Sequence, residues 1–152
     1  MTTVLEASRV WAVPYDEAMQ RFIPVPLTDI FDRRHLALPA IKRVDGPDGR
    51  FDQVGQSRTI VLADGGSMVE TLTVVGPPAE YGYRISQVRG PLKPLAKEIR
   101  GLWTFTPVGA ATRITWRWEV DPAPLGRPVM PVFTLMWRGY AAKALERLSE
   151  LI

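Results

Sequence analysis

Fourteen prolines punctuate this 152-residue chain, nearly twice the usual share of about 5%. A proline inside a helix removes a backbone hydrogen bond and collides with the preceding turn, so their positions, together with the alternating segments between them, leave one long helix-compatible window, Pro131 to Ile152. There Phe133, Met136, Trp137, Tyr140, Ala141, Ala144, Leu148 and Leu151 recur at three- and four-residue steps, while Arg138, Lys143, Glu146, Arg147 and Glu150 fill the other side. That spacing predicts a terminal amphipathic helix. Pro131 suits its first turn, where the missing N–H is not needed.

The middle of the chain alternates with the two-residue period of strands. Ile114, Trp116, Trp118 and Val120 share one parity against Arg113, Thr115, Arg117 and Glu119; upstream, Ile99, Gly101, Trp103 and Phe105 share another against Arg100, Thr104 and Thr106. A hairpin loop over Pro107 to Ala110 would set Phe105 opposite Thr112, Trp103 opposite Ile114, Gly101 opposite Trp116 and Ile99 opposite Trp118, with both apolar rows on one face. Ser57–Leu62 and Met68–Val75 flank Asp64-Gly65-Gly66, a hairpin signal. A two-residue turn there predicts that Ser57, Thr59 and Val61 share a face with Met68, Glu70, Leu72 and Val74, which leaves neither face plainly apolar. Tyr81, Tyr83 and Ile85 alternate in the next strand, but the loop at Gly76-Pro77-Pro78 does not carry the parity across.

Near the start, Thr3 to Val13 reads as a strand. Pro14-Tyr15-Asp16-Glu17 opens a short helix limited by Pro24, Leu27 to Arg34 holds a second, and Ala40 to Asp45 is a strand closed by the turn Asp45 to Gly49. The order is strand, two short helices, about six antiparallel strands, then one long helix. This is an α+β plan, a curved sheet with its helices on one face, and the chain is one domain's worth, residues 1–152.

Composition narrows the chemistry. With no cysteine, disulfides, thiolate nucleophiles and thiolate-held metals are excluded, and the single histidine, His35, excludes any site needing two imidazoles. Nineteen basic against sixteen acidic residues give a net charge of +3 spread along the chain, which predicts no nucleic-acid partner. No apolar run reaches the ~18 residues of a spanning helix, and Glu6 and Arg9 interrupt the place a signal peptide would need. The expectation is a cytoplasmic protein without stable membrane insertion.

The Val13-Pro14 strand end followed by Asp16-Glu17-Ala18, the stretch Glu70 to Pro78, the run Trp103-Thr104-Phe105-Thr106-Pro107 leading to Ala111 through Trp116, and the terminal Ala144-Leu145-Glu146-Arg147-Leu148 together resemble the SRPBCC superfamily. Within it they are most similar to the polyketide cyclase/dehydrase and lipid-transport branch. The resemblance covers nearly the whole chain and implies a helix-grip, the fold of the major birch-pollen allergen and START domains: a sheet of about seven strands wrapped around the C-terminal helix, with an apolar cavity between.

The residues support such a cavity independently, because a strongly bent sheet on one helix does not close evenly. Trp103, Trp116 and Trp118 offer flat walls for rings or acyl chains, against the plainer role of filling the core. Met136 and Tyr140 on the terminal helix face the same space; Met130 is placed at the cavity's edge or on the surface. Glu70 is read either as a carboxylate raised in pKa by an apolar pocket or as a group solvated on the convex side opposite Arg58-type partners. Tyr81 and Tyr83 are either buried structure or hydroxyls that orient a ligand carbonyl. His35, after Arg33-Arg34, reads as a surface or capping residue. Arg84, Arg100, Arg113 and Arg117 fall on the outer parity. Leu92 and Leu95, on the loop Gly90 to Leu95, either cover a cavity mouth or lie on a plain surface loop.

No glycine-rich phosphate loop, nucleophile elbow or metal-binding histidine pair is present, and nothing requires a cofactor. Three functions remain: a non-catalytic binder of a small hydrophobic molecule, favoured because the tryptophan faces carry no obvious charged partner; a polyketide cyclase or aromatase, which needs an inward acid/base near the indoles; and a protein-interaction module, which needs a large exposed apolar patch and a small or closed cavity. The ligand-binding set is Trp103, Trp116, Trp118, Tyr83, Glu70, Met136 and Tyr140, with no catalytic residue assigned and the oligomeric state unread.

Overall fold

The computed structural model describes residues 2–46, 51–76 and 79–152. Parts of two expected turns, Asp45 to Gly49 and Gly76 to Pro78, lie outside the described residues. The chain runs β1 (Thr3–Trp11), α1 (Tyr15–Phe22), α2 (Leu27–Ile30), β2 (Ile41–Asp45), β3 (Ser57–Leu62), β4 (Ser67–Gly76), β5 (Glu80–Arg89), β6 (Ala96–Val108), β7 (Ala111–Pro122) and α3 (Met130–Leu151), with a short 3-10 turn, Arg127–Val129, before the last helix. α1 carries Asp16 and Glu17 in its first turn and Arg21 in its last, the charge order that suits the helix dipole.

Every neighbouring strand pair is antiparallel, in a seven-stranded sheet ordered β1-β7-β6-β5-β4-β3-β2. The last strand therefore returns to pair with the first, Leu5 opposite Trp118 and Ala7 opposite Trp116. The sheet meets α1 at β6 and β7, α2 at β2, and α3 at β1. Between these layers lie Leu5, Leu72, Ile85, Ile99, Ile114, Trp116, Val120, Phe133, Trp137 and Leu148, each all but sealed from solvent. This is the sheet and terminal helix that the spacing predicts.

Two registers differ from the expectation, one harmlessly. β6 continues through Pro107 to Val108, which pairs with Ala111, so the loop is Gly109-Ala110 and not four residues long. Gly109 takes positive φ (59°) as such a tight turn requires, and Pro107 at the end of a strand forfeits one ladder bond without breaking the strand. Trp103 consequently faces Trp116, Gly101 faces Trp118, Phe105 faces Ile114 and Ile99 faces Val120. The slip is two residues, so the face is unchanged.

The β3–β4 hairpin is a true correction. Leu62 N–H donates to the Gly66 carbonyl and Ile60 pairs with Met68, so three residues, Ala63 to Gly65, form the loop. An odd loop reverses the parity that an even one sets. Ile60 and Leu62 then share the buried face with Met68, Glu70 and Leu72, and Arg58 stands opposite Glu70. Gly65 at φ 89° supplies the left-handed residue of a three-residue hairpin loop.

The terminal helix begins at Met130 with Pro131 in its first turn. Its buried stripe is Met130, Phe133, Trp137, Ala141, Ala144, Leu145 and Leu148. Met136, expected inward, is only half-buried. At 100° per residue it lies a full step off the buried Phe133–Trp137 line. Met130 is buried in the core rather than at a surface.

Candidate functional site

β3, β4, β5, β6 and β7 each contribute alternate side chains to the concave face, and the rows converge on an apolar cavity of about 70 Å³. Trp103, Trp116, Trp118, Tyr83, Glu70 and Tyr140 all line it, with Leu27, Phe31, Ile41, Ile60, Leu62, Met68 and Ile85. Met136 does not line it. A second hollow of about 50 Å³ lies beside it, and Leu62, Met68, Trp118 and Tyr140 line both. Leu38, Pro39, Leu92, Phe133 and Trp137 complete that second wall, so Leu92 covers part of the interior, while Leu95 packs at the core's margin with its carbonyl against Gly126.

The indoles form one contiguous cluster, with a single stacked pair at its centre. Trp103 and Trp116 lie nearly parallel with centroids 5.1 Å apart and 7° between planes. Trp118 meets Trp116 edge-on at 5.5 Å, and Trp137 on α3 meets Trp116 at 4.9 Å and Trp118 at 5.8 Å. Phe31, just beyond α2, sits 5.2 Å from Trp116 and stacks on Tyr140 at 5.5 Å. Such offset and edge-on contacts each add about 0.5–1.5 kcal/mol beyond area burial.

Two polar groups interrupt the apolar wall. Glu70 is 3% exposed, and its Oε1 accepts from Arg58 Nε at 2.5 Å. The Arg58 guanidinium also lies 4.0 Å above the centre of the Phe51 ring. Burial pushes the Glu70 carboxyl above its usual range, and the Arg58 charge and hydrogen bond pull it back only in part. Tyr83 is the second group. Its hydroxyl accepts from both Trp116 Nε1 and Trp118 Nε1, each at 2.8 Å, and burial pushes it well above the ordinary phenol range, so it stays protonated at neutral pH.

The remaining candidates are structural in their placement. Tyr140 donates to the Pro39 carbonyl at 2.9 Å and Tyr81 to the Phe51 carbonyl at 2.7 Å. His35 lies in the loop after α2, with its ring packed directly on Gly139 of α3, a close approach that a side chain at 139 would block. Arg84, Arg100 and Arg113 are exposed, and Arg100 and Arg117 both bond Glu119, at 3.2 and 3.0 Å. Sequence reasoning passed over Phe31, Ile60, Leu62, Met68 and Trp137 as site residues. Trp137 carried a signal, its place on the helical apolar stripe; Ile60, Leu62 and Met68 became legible only once the loop length set their face.

A family model described as polyketide cyclase / dehydrase and lipid transport matches residues 5–152. The chain belongs to that family. Solved structures share its helix-grip fold at low identity. The aromatase/cyclase Zhui from a Streptomyces species superposes with a TM-score of 0.74 at 12% identity, over 99% of this chain and 93% of that one. Norcoclaurine synthase from Thalictrum flavum, in complex with dopamine and hydroxybenzaldehyde, gives 0.72 at 18% identity, over 99% and 86%. The ginseng major latex-like protein from Panax ginseng gives 0.69 at 14%, over 98% and 96%. No curated protein matches the sequence. Among the described residues, no helix of this polyketide cyclase/dehydrase and lipid-transport family member is long and apolar enough to cross a membrane.

Proposed function

We propose that this protein binds a small, flat, largely apolar molecule between its sheet and α3, with the ring of that molecule laid against the indole cluster. The observation that carries the reading is the convergence of Trp103, Trp116, Trp118, Tyr83 and Glu70 on one apolar cavity. A dry cavity of roughly 150 Å³ holds benzene, so the 70 Å³ space takes a ring only by joining its 50 Å³ neighbour and widening further as the side chains between them move. Met68, which lines both, is the unbranched, adaptable side chain suited to such a rearrangement.

Toluene is a sufficient probe. Titrated into the protein and followed by NMR of the indole N–H groups, it is expected to move the Trp103, Trp116 and Trp118 signals in a saturable way. Ile60→Phe, which fills the cavity from the β3 wall, is expected to remove that response while thermal unfolding stays cooperative. Saturable binding that survives Ile60→Phe, or no response in the unsubstituted protein, rejects the cavity as the binding place.

Glu70 favours a second reading, a proton-transferring enzyme of the cyclase type. It is an inward carboxyl beside the indoles, with its pKa raised and only Oε1 engaged by Arg58. A positioned acid/base contributes roughly 10²–10⁴-fold. If Glu70 serves this role, the protein accelerates hydrogen–deuterium exchange at the α-carbon of a bound simple ketone, and Glu70→Gln loses the acceleration while still binding toluene. Equal exchange rates in the two proteins exclude it.

A further inference from the structure

The hydrogen bonding of Tyr83 does not close within the protein. Its ring lies across Gly101, its cross-strand partner on β6. A Cβ at position 101 would sit 2.0 Å from Cζ and 2.4 Å from both Cε2 and the hydroxyl oxygen, so the ring has this path only because residue 101 has no side chain. The path carries the hydroxyl over to β7, where the indole N–H groups of Trp116 and Trp118 both donate to it.

An indole N–H donates and cannot accept, whereas a phenol has one proton of its own to give. The two indoles therefore occupy the oxygen as acceptor and leave its proton unassigned. Among the described residues no group accepts that proton, although Tyr83 is 5% exposed and a buried donor left unmade is costly. Its other boundary is the cavity it lines, where the Glu70 carboxyl faces the same space but makes no hydrogen bond to it. Two incoming hydrogen bonds also polarise the O–H and strengthen it as a donor.

We infer that the Tyr83 hydroxyl is an obligate hydrogen-bond donor to the bound molecule, and that the cavity thereby selects a flat carbonyl compound over a hydrocarbon of the same shape. This rests on the ligand-binding reading above and names its ligand class. Gly101, Trp116 and Trp118 act as positioning residues: the first opens the path, and the indoles use up the hydroxyl's capacity to accept. A molecule without an acceptor leaves the buried proton unpaired, which is how a polar site rejects an analogue lacking the oxygen.

Cyclopentanone and methylenecyclopentane, which differ in C=O against C=CH₂, test this directly. The ketone is expected to bind about fivefold tighter, the worth of one net hydrogen bond, with its carbonyl stretch moved to lower frequency than in hydrocarbon solvent. Tyr83→Phe is expected to abolish both the preference and the infrared shift while methylenecyclopentane still binds. Gly101→Ala keeps the hydroxyl but closes its path, and is expected to lose the preference as well. Equal binding of the two by the unsubstituted protein, or an unshifted carbonyl stretch, overturns the inference and leaves the cavity reading standing. Binding of neither overturns both. If Tyr83→Phe does not fold, because it leaves two indole N–H groups without an acceptor, the infrared shift in the unsubstituted protein decides the matter alone.

Discussion

Arg58 and Glu70 face each other across β3 and β4 with side chains only 15% and 4% exposed. Such a pair is weak proof of stability, because desolvation offsets much of the attraction, but removing one partner strands the other charge at a cost of about 3–5 kcal/mol. Arg58→Met is expected to show a loss of that order at neutral pH. Glu70 already has a raised pKa, and without Arg58 it rises further. A carboxyl with a raised folded pKa contributes stability that is fully present below its ordinary value and is lost as pH climbs through the folded value. The variant's melting temperature should therefore fall with rising pH more steeply than that of the unsubstituted protein, and Arg58→Met combined with Glu70→Met should flatten the difference. A deficit independent of pH, followed by calorimetry across the acid range, contradicts this account. The chain suggests an Arg58-type partner for Glu70 only on a solvated convex side; that the two meet buried is decided by the hairpin register that brings residues 12 apart opposite each other.

At the scale of the element, the β3–β4 hairpin shows how one residue of loop decides a face. Asp64-Gly65-Gly66 announces a turn but is compatible with two or three loop residues, and the two choices send Glu70 to opposite sides of the sheet. The three-residue form is held by the Asp64 side chain accepting from the Gly66 N–H at 2.8 Å and by Gly65 at φ 89°. Gly65→Ala meets no neighbouring atom within 4 Å, so its penalty is purely conformational, and a loss of about 1 kcal/mol is expected in denaturant unfolding. A neutral result would mean that the loop can adopt another turn. The β6–β7 hairpin was more forgiving. Its expected loop was too long by two residues, yet an even error preserves the face, and the tryptophan row was assigned correctly despite the wrong partners.

In the molecule as a whole, α3 is the element most plainly written in the sequence. Its start follows from proline chemistry, with Pro131 in its first turn, and its inner stripe from the 3.6-residue period. The outer side of its first turns is apolar too, with Val132 and Leu135 60% and 68% exposed, so helical amphipathicity is weak there and the placement of Met136 fails. Phe31 illustrates the converse case. It lies beyond α2 in a stretch without periodicity, and only the packing of α2 against β2 and α3 brings it onto Trp116 and Tyr140.

What the sequence determined by itself was everything carried by local periodicity and covalent constraint: one long terminal helix, alternating strands between glycine and proline turns, and an indole-rich inner row. These depend on a residue's near neighbours, and backbone geometry repeats over a few positions. What only the tertiary structure decided was which groups meet: Arg58 with Glu70, Tyr83 with two indoles across the bare backbone of Gly101, and the shared wall of the two hollows. Such meetings depend on loop parity and sheet curvature accumulated over the whole chain, where a single residue of register reverses every contact downstream.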